Sequence, residues 1–184
     1  MPLKNSSGQQ GKILQNVITE MCIPHSYEVV YHRSNHDVPM PSVEVLSEVV
    51  ELLRSAIFPG YFGNSEIRPE SMTYHIGSTI DRIFLLFSEQ IKRGYCFSCT
   101  ENNLAATCEE CDARAKRTTL RFLERLPDIR QLLVTDVRAA FEGDPAAKSY
   151  GEAIFCYPSI YALTNHRIAH ELYRLEVPII PRII

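Results

Sequence analysis

The spacing of apolar residues along the chain predicts a series of amphipathic helices. The first begins after Pro41, where Ser42 can act as the N-cap, and ends at the breaker Pro59-Gly60. Its apolar stripe has helical spacing and consists of Val45, Val49, Leu52, Leu53 and Ile57. Residues 58–70 are rich in Gly, Pro and aromatic residues and predict a loop that packs its own rings on the domain.

Four more helices follow from the same periodicity. Their predicted bounds are about 71–94, 108–126, 127–143 and 158–175. Ser71 opens the first of these helices, and Gly94 is expected to end it. No stretch alternates as a strand does, so the predicted fold class is all-α, an irregular multi-helix bundle of about five to seven helices.

The predicted organisation is an irregular N-terminal leader, residues 1–40, followed by one helical domain, residues 41–184. The leader starts with polar residues and then carries histidines and prolines without a clear period, so no firm element is placed there. No apolar h-region follows the first residues, which argues against a secretory signal and predicts a cytoplasmic protein.

Composition and charge exclude several classes of protein. Of 184 residues, 45% are hydrophobic and 22% are charged, which suffices for one domain with its own core. The formal net charge of −3 provides no electrostatic footprint for a phosphate backbone and argues against nucleic acid as a partner. No apolar run approaches the ~20 residues that span a bilayer, so no membrane partner is expected.

Two CxxC pairs are the strongest chemical signal among the residues: Cys96-x2-Cys99 and Cys108-x2-Cys111. Four thiolates from two such turns can surround Zn²⁺ in a tetrahedron, and a closed four-thiolate site is structural rather than catalytic. The alternative is a helix–loop–helix tip with partly buried thiols, since Cys108 and Cys111 can already lie in a helix. The sequence leaves both interpretations open.

Two histidine pairs have the i,i+4 spacing that places both rings on one helical face: His166 with His170, and His32 with His36. The first pair could chelate a metal. However, Arg167 stands where a metalloprotease requires glutamate, so this interpretation has little support. Packing or surface roles are favoured for both pairs.

Several familiar motifs are missing from the chain. The glycine-containing motifs of α/β-hydrolases, P-loop proteins and dinucleotide-binding proteins do not occur. Asp144-Pro145, just past the helix-ending Gly143, is by itself most typical of a turn. Composition and spacing alone therefore indicate a helical domain with a candidate zinc knuckle.

Three strings occur in order near the C-terminal end of the sequence: DPA at 144–146 after a helix rich in Asp and Ala, YAL at 161–163, and HRIAH at 166–170. With these strings, residues 136–184 closely resemble the end of the helical N-terminal domain of bacterial and plant serine acetyltransferases. Upstream, FPGYF at 58–62 and the long helices look like the extended helical region of one bacterial branch of that family.

The resemblance implies transfer of an acetyl group from acetyl-coenzyme A to the hydroxyl of L-serine, the step before cysteine is made. In that family a β-helix of hexapeptide repeats follows the helical domain and carries the general-base histidine, its partner aspartate and the coenzyme A groove. No hexapeptide-repeat turn occurs up to Ile184. No catalytic residue is therefore assigned in this chain, and the chain alone is expected to be inactive.

The resemblance also assigns roles to individual residues. Asp144 matches the family aspartate that reaches the serine substrate, and Pro145 shapes its turn. His166 and His170 match positions beside that site, and neither is expected to be the base. The expected partners are L-serine, acetyl-CoA, further copies of the chain and cysteine synthase. The competing interpretation is a non-enzymatic interaction domain organised by the four-cysteine zinc knuckle.

Overall fold

The computed structural model describes residues 6–32, 38–99 and 108–184, without the side chains of Ser6, Ser7 and Cys108. The chain divides into two compact units between Arg33 and Ser34. Within the described ranges every regular element is a helix, apart from one isolated bridge. The predicted all-α fold is therefore confirmed. No helix in these ranges has the length and apolar content needed to cross a membrane.

The first unit contains α1 (Ser6–Met21) and the single turn α2 (Pro24–Tyr27). The large apolar side chains of α1 are more than half exposed: Ile13, Leu14, Val17, Ile18 and Met21. The structure thus places a helix inside the segment that the sequence analysis left without a firm element. An i,i+4 repeat of apolar residues begins at Ile13. The sequence analysis did not recognise it as a helix because the segment starts with polar residues and contains two glycines, which have low helix propensity.

The second unit contains the remaining helices. They are α3 (Val43–Ile57), α4 (Met72–Cys99), α5 (Cys108–Glu124), α6 (Leu126–Gly143), α7 (Tyr150–Cys156), α8 (Pro158–Arg174) and α9 (Ile180–Ile183). A 3₁₀ turn, Pro69–Ser71, precedes α4. The long helix α4 packs along both α3 and α5, while α8 packs against α6 and α9. The predicted starts of α3 and α6 hold, because the Ser42 side chain caps α3 and Pro127 lies in the first turn of α6.

Gly94 does not end α4, and that prediction is wrong. The helix continues to Cys99. A Cβ atom at position 94 would lie 3.1 Å from the carbonyl oxygen of Pro178 and 3.3 Å from Cδ1 of Ile180. The glycine therefore allows the C-terminal segment to approach the helix, since any side chain would fill that space.

The loop after α3 packs its rings on the domain, as the sequence predicts. The ring of Phe62 lies 6.2 Å from that of Phe58 and 6.1 Å from that of Phe155, measured between centroids. A Cβ atom at Gly151 would lie 2.9 Å from the Tyr61 hydroxyl. The loop is thus seated against α7, the helix that follows Asp144 in the chain.

Helix α8 ends in a Schellman motif. The amide of Glu176 donates to the carbonyl of Tyr173, and the amide of Val177 donates to that of Leu172, both at 3.0 Å. Glu176 has a φ of 57° and Ile179 a φ of 56°, so the chain adopts a positive φ twice before α9. This turn directs Ile180 into the core, where it is fully buried.

Candidate functional site

Asp144 lies at the C-terminal cap of α6, where the chain leaves the helix in an extended conformation. The backbone amide of Ala146 donates a 2.9 Å hydrogen bond to its Oδ1 atom. The amide of Ala147 donates to the carbonyl oxygen of Asp144 at 3.0 Å. This is the side-chain-to-backbone turn that Asp favours, and the exposed Pro145 restricts the backbone inside it.

A second donor reaches Asp144 from the junction of α7 and α8. The hydroxyl of Tyr157 donates a 2.6 Å hydrogen bond to Oδ2 of Asp144. This bond, followed by that from the Ala146 amide, lowers the pKa of the Asp144 carboxyl. The same bond, with some burial, raises the pKa of the Tyr157 hydroxyl to about 12. At neutral pH the aspartate is therefore ionised and the tyrosine protonated.

The short helix α7 connects Asp144 to Tyr157. The Ser149 hydroxyl accepts a hydrogen bond from the amide of Glu152, and the Glu152 carboxylate accepts one from the amide of Lys148 at 2.7 Å. These reciprocal bonds resemble a capping box. The sequence analysis missed this helix, although a serine followed three residues later by glutamate is a known start signal.

An ion pair joins the two long helices on either side of this turn. The guanidinium of Arg167 on α8 contacts both carboxylate oxygens of Asp136 on α6, at 2.6 Å each. The side chains are 25% and 16% exposed, respectively. The Asp136 carboxylate raises the pKa of Arg167, so the arginine remains charged. The resemblance gave no role to this pair, which fixes α8 relative to the helix that ends at Asp144.

The histidines of HRIAH lie on the exposed side of α8. The rings of His166 and His170 are stacked, with centroids 5.9 Å apart and an interplanar angle of 23°. This is the geometry that their i,i+4 spacing predicts. His32 lies in the other unit, and its predicted partner His36 is outside the described residues.

Three of the four predicted metal ligands can be located. Cys96 and Cys111 are buried, and Cys99 is partly buried. The Sγ atoms of Cys99 and Cys111 are 3.7 Å apart. The side chain of Cys108 is outside the described residues. Among the side chains that are described, no three from His, Cys, Asp and Glu form a group able to hold a metal.

The arrangement around Asp144 is suited to binding a small cation. A carboxylate has about four acceptor positions, and the protein fills one on each oxygen. The other acceptor positions of the Asp144 carboxylate are not used by these two bonds. The two hydrogen-bond donors, the Ala146 amide and the Tyr157 hydroxyl, fix the orientation of the carboxylate. A primary ammonium group provides both the opposite charge and the N–H donors that such a carboxylate accepts.

Comparisons with known proteins identify the chain's relatives. A plasmid-encoded serine acetyltransferase of Synechococcus elongatus is 42% identical over 151 residues, which are 82% of this chain and 47% of that protein. A serine acetyltransferase of Synechocystis is 49% identical over 51 residues, or 28% of this chain and 20% of that protein. No protein-family model matches the chain.

The solved structures that resemble this chain are also serine acetyltransferases. Serine acetyltransferase 1 of Entamoeba histolytica, in complex with L-cysteine, matches with a TM-score of 0.55 and 28% identity. The match covers 82% of this chain and 48% of that one. Isoform 3 from the same organism, at 22% identity and a TM-score of 0.56, supports the fold alone and covers 94% of this chain and 54% of the other.

The chain therefore spans about half the length of the relatives that match most of it. The competing interpretation as a non-enzymatic domain organised by zinc gains no support from these comparisons. Over the residues that match, the chain is a homologue of the serine acetyltransferases, and the resemblance predicted from sequence is confirmed.

Proposed function

We propose that this chain forms the helical, serine-binding part of an enzyme that transfers acetyl from acetyl-CoA to the hydroxyl of L-serine. The observation that carries the proposal is the Asp144 carboxylate, kept ionised and oriented by Tyr157 and the Ala146 amide in a serine acetyltransferase homologue. In this role Asp144 binds the substrate ammonium group and Pro145 shapes the turn that presents the carboxylate.

The chemical step needs groups that, in the relatives, lie outside the region that matches this chain. The relatives are about twice as long as the matched region, and we assign the general base and the coenzyme A groove to that remainder. Asp144 then contributes by orienting the serine hydroxyl toward the thioester carbon, since a fixed ammonium restricts the whole amino acid. No catalytic residue is assigned within residues 1–184.

We extend the proposal to L-cysteine, because the Entamoeba histolytica relative was solved with that amino acid bound. L-cysteine has the same ammonium and carboxylate groups as L-serine and differs only in its side-chain atom. The Asp144 carboxylate should therefore accept either amino acid, and L-cysteine should compete with L-serine.

The proposal also includes self-association of the helical part. We further propose that the enzyme is cytoplasmic and that cysteine synthase is one of its partners. Exposed apolar side chains on several helices support the self-association. Leu85 on α4 is 60% exposed, Leu120 on α5 is 51% exposed and Leu132 on α6 is 46% exposed. Burial of such side chains against a second copy of the chain lowers the free energy and so favours association.

The test is a chimera in which this chain replaces the matching part of the Synechococcus elongatus enzyme, assayed by thiol release. The Asp144→Asn variant should raise KM for serine and lower kcat, while KM for acetyl-CoA remains unchanged. A lost charge-assisted contact costs about 1.5 to 3 kcal/mol, or about tenfold or more in kcat/KM.

The matched control is Glu142→Gln, which removes another carboxylate from the same end of α6. Glu142 is exposed, and its substitution should leave serine kinetics unchanged. Serine kinetics of Asp144→Asn within about twofold of the parent chimera would exclude the substrate-binding role, because no charge-assisted contact would have been lost.

A further inference from the structure

Arg54, near the end of α3, is a buried arginine to which the proposed serine-binding role assigns no task. The residue is 1% exposed. Its guanidinium donates one hydrogen bond to Oε1 of Glu51 and another, at 2.8 Å, to Oδ1 of Asn165. Among the residues that the structure describes, none bonds its buried Nε atom. The side chain therefore joins α3 to α8, the helix that carries Asn165.

Stability alone does not explain an arginine at this position. Burial of a guanidinium costs desolvation free energy, and apolar residues of similar volume often replace a buried ion pair without loss of stability. The side chain of Glu51, the ion-pair partner, is 55% exposed, so water weakens the attraction. The unbonded Nε atom adds to the cost of burial. The arrangement that Arg54 imposes on its neighbours is the better explanation.

Two aromatic rings lie against the guanidinium of Arg54. Its Cζ atom is 3.6 Å from the ring centroid of Tyr161 on α8 and 5.6 Å from that of Phe62 in the loop after α3. A guanidinium is attracted to an aromatic face, more strongly where water is excluded, and its flat shape restricts how a ring lies against it. The Tyr161 hydroxyl also donates to Oε1 of Glu51 at 3.1 Å. Arg54 thus fixes one turn of α8 and the loop at the same time.

The two rings are connected to positions on either side of Tyr157. Phe62 packs against Phe155, two residues before Tyr157, with the ring centroids 6.1 Å apart. Tyr161 follows Tyr157 by four residues, about one turn into α8. Tyr157 itself ends α7 and caps the start of α8. Arg54 therefore holds the helix junction that carries the Tyr157 hydroxyl, through one ring on each side.

We propose that Arg54 is a positioning residue for the serine-binding carboxylate of Asp144. It acts through Tyr157, by holding the junction of α7 and α8 from which the tyrosine hydroxyl donates its 2.6 Å hydrogen bond to Asp144. The inference rests on the proposed function for its effect on serine, whereas its effect on the Tyr157–Asp144 bond is independent of any substrate.

An NMR titration of Asp144 in the full chain tests the inference. Arg54→Lys keeps the positive charge but loses the flat group that contacts both rings. The bond from Tyr157 should weaken, so the pKa of the Asp144 carboxyl should rise toward its ordinary value. The matched control is Arg82→Lys, because Arg82 also pairs with a glutamate of α3, Glu48, but is exposed. This control should leave the Asp144 titration unchanged.

Because Arg54 is buried and Arg54→Lys could fail to fold, the ring on its surface side is changed as well. Tyr161 is 48% exposed. Tyr161→Leu removes the aromatic face from the guanidinium and should raise the pKa of Asp144. Tyr161→Phe keeps that face, so its Asp144 titration should lie closer to that of the unaltered chain than the titration of Tyr161→Leu does.

Kinetics in the chimera with the Synechococcus elongatus enzyme separate positioning from folding. Arg54→Lys should raise KM for serine about two- to tenfold, the range that one hydrogen bond is worth, and leave KM for acetyl-CoA unchanged. A role in folding alone would lower the thermal midpoint and change neither the Asp144 titration nor KM for serine. Failure of the proposed function alone would give serine kinetics that Asp144→Asn does not change, with the Asp144 titration still shifted by Arg54→Lys.

Three results would overturn the inference. The first is a folded Arg54→Lys protein with an unshifted Asp144 titration. The second is an equal shift in Arg82→Lys, because a general loosening of the fold would then explain both. The third applies if Arg54→Lys does not fold, and is an unshifted Asp144 titration in Tyr161→Leu.

Discussion

The hydroxyl of Tyr157 and the carboxylate of Asp144 are joined across a short helix by a 2.6 Å hydrogen bond. The two residues are 13 positions apart along the chain. The bond fixes the charge state of both groups, since it lowers the pKa of Asp144 and raises that of Tyr157. It couples the candidate substrate-binding group to the start of α8.

The Tyr157→Phe variant should raise the pKa of Asp144 toward its ordinary value, because it removes the strongest donor to that carboxylate. NMR titration of carboxyl-labelled protein measures this change. The control Tyr150→Phe removes a hydroxyl from an exposed ring that packs against Phe141 and should leave the Asp144 titration unchanged. An unshifted Asp144 titration in Tyr157→Phe would show that the bond is absent in solution.

Alkaline pH should weaken the fold through the same bond. The pKa of a tyrosine is about 10 in an unfolded chain and rises to about 12 for Tyr157 in the fold. A raised pKa contributes stability that is fully present below about pH 10 and is lost as the pH rises through about 12. Urea unfolding across this range should therefore show a steeper loss in the unaltered chain than in Tyr157→Phe or Asp144→Asn.

The Arg167→Lys variant should destabilise the second unit by about 1 to 2 kcal/mol, because lysine cannot reproduce the paired contact with Asp136. Chemical denaturation measures the free energy of unfolding. Arg138→Lys on α6 is the control, since Arg138 is exposed and its substitution should cost less than about 0.5 kcal/mol. Equal effects of the two substitutions would contradict a stabilising role for the pair.

Alanine substitutions at two glycines of α4 should change the stability of the protein in opposite directions. Gly94→Ala should destabilise the protein by about 1 to 3 kcal/mol, because the new methyl group meets the Pro178 carbonyl and Ile180. At Gly77 nothing lies within 4 Å of the added atom. Gly77→Ala should therefore stabilise the protein by about 0.5 to 1 kcal/mol through helix propensity. Urea midpoints of the two variants check both signs, and a stabilising Gly94→Ala would refute the close approach.

The sequence predicts elements best where local signals coincide. Helix α3 has an N-cap at Ser42 and a breaker at Pro59, and α6 has Pro127 at its start. The end of α4 was misjudged because Gly94 faces Pro178, which lies far along the chain. No local pattern distinguishes a packing glycine from a terminating one.

In the candidate site, too, local sequence signals predicted little that depends on contacts between distant residues. Asp144 by itself indicated only a turn, and the resemblance was needed to give it a role. Its partner Tyr157 could not be found from spacing, because the two residues are 13 positions apart and the segment between them folds back through α7 before the side chains meet. The Asp136–Arg167 pair likewise depends on the packing of α6 against α8, which no local signal determines.

Two residues of the turn after α8 have a positive φ, Glu176 and Ile179, but they differ in how freely they can be substituted. Glu176 is exposed, so glycine there would relieve the strain of the left-handed conformation, about 1 kcal/mol, without losing any buried contact. Ile179 packs against the core, so glycine would relieve the strain but forfeit hydrophobic contact. An engineer seeking a more thermostable chain should therefore begin at position 176 and retain isoleucine at 179.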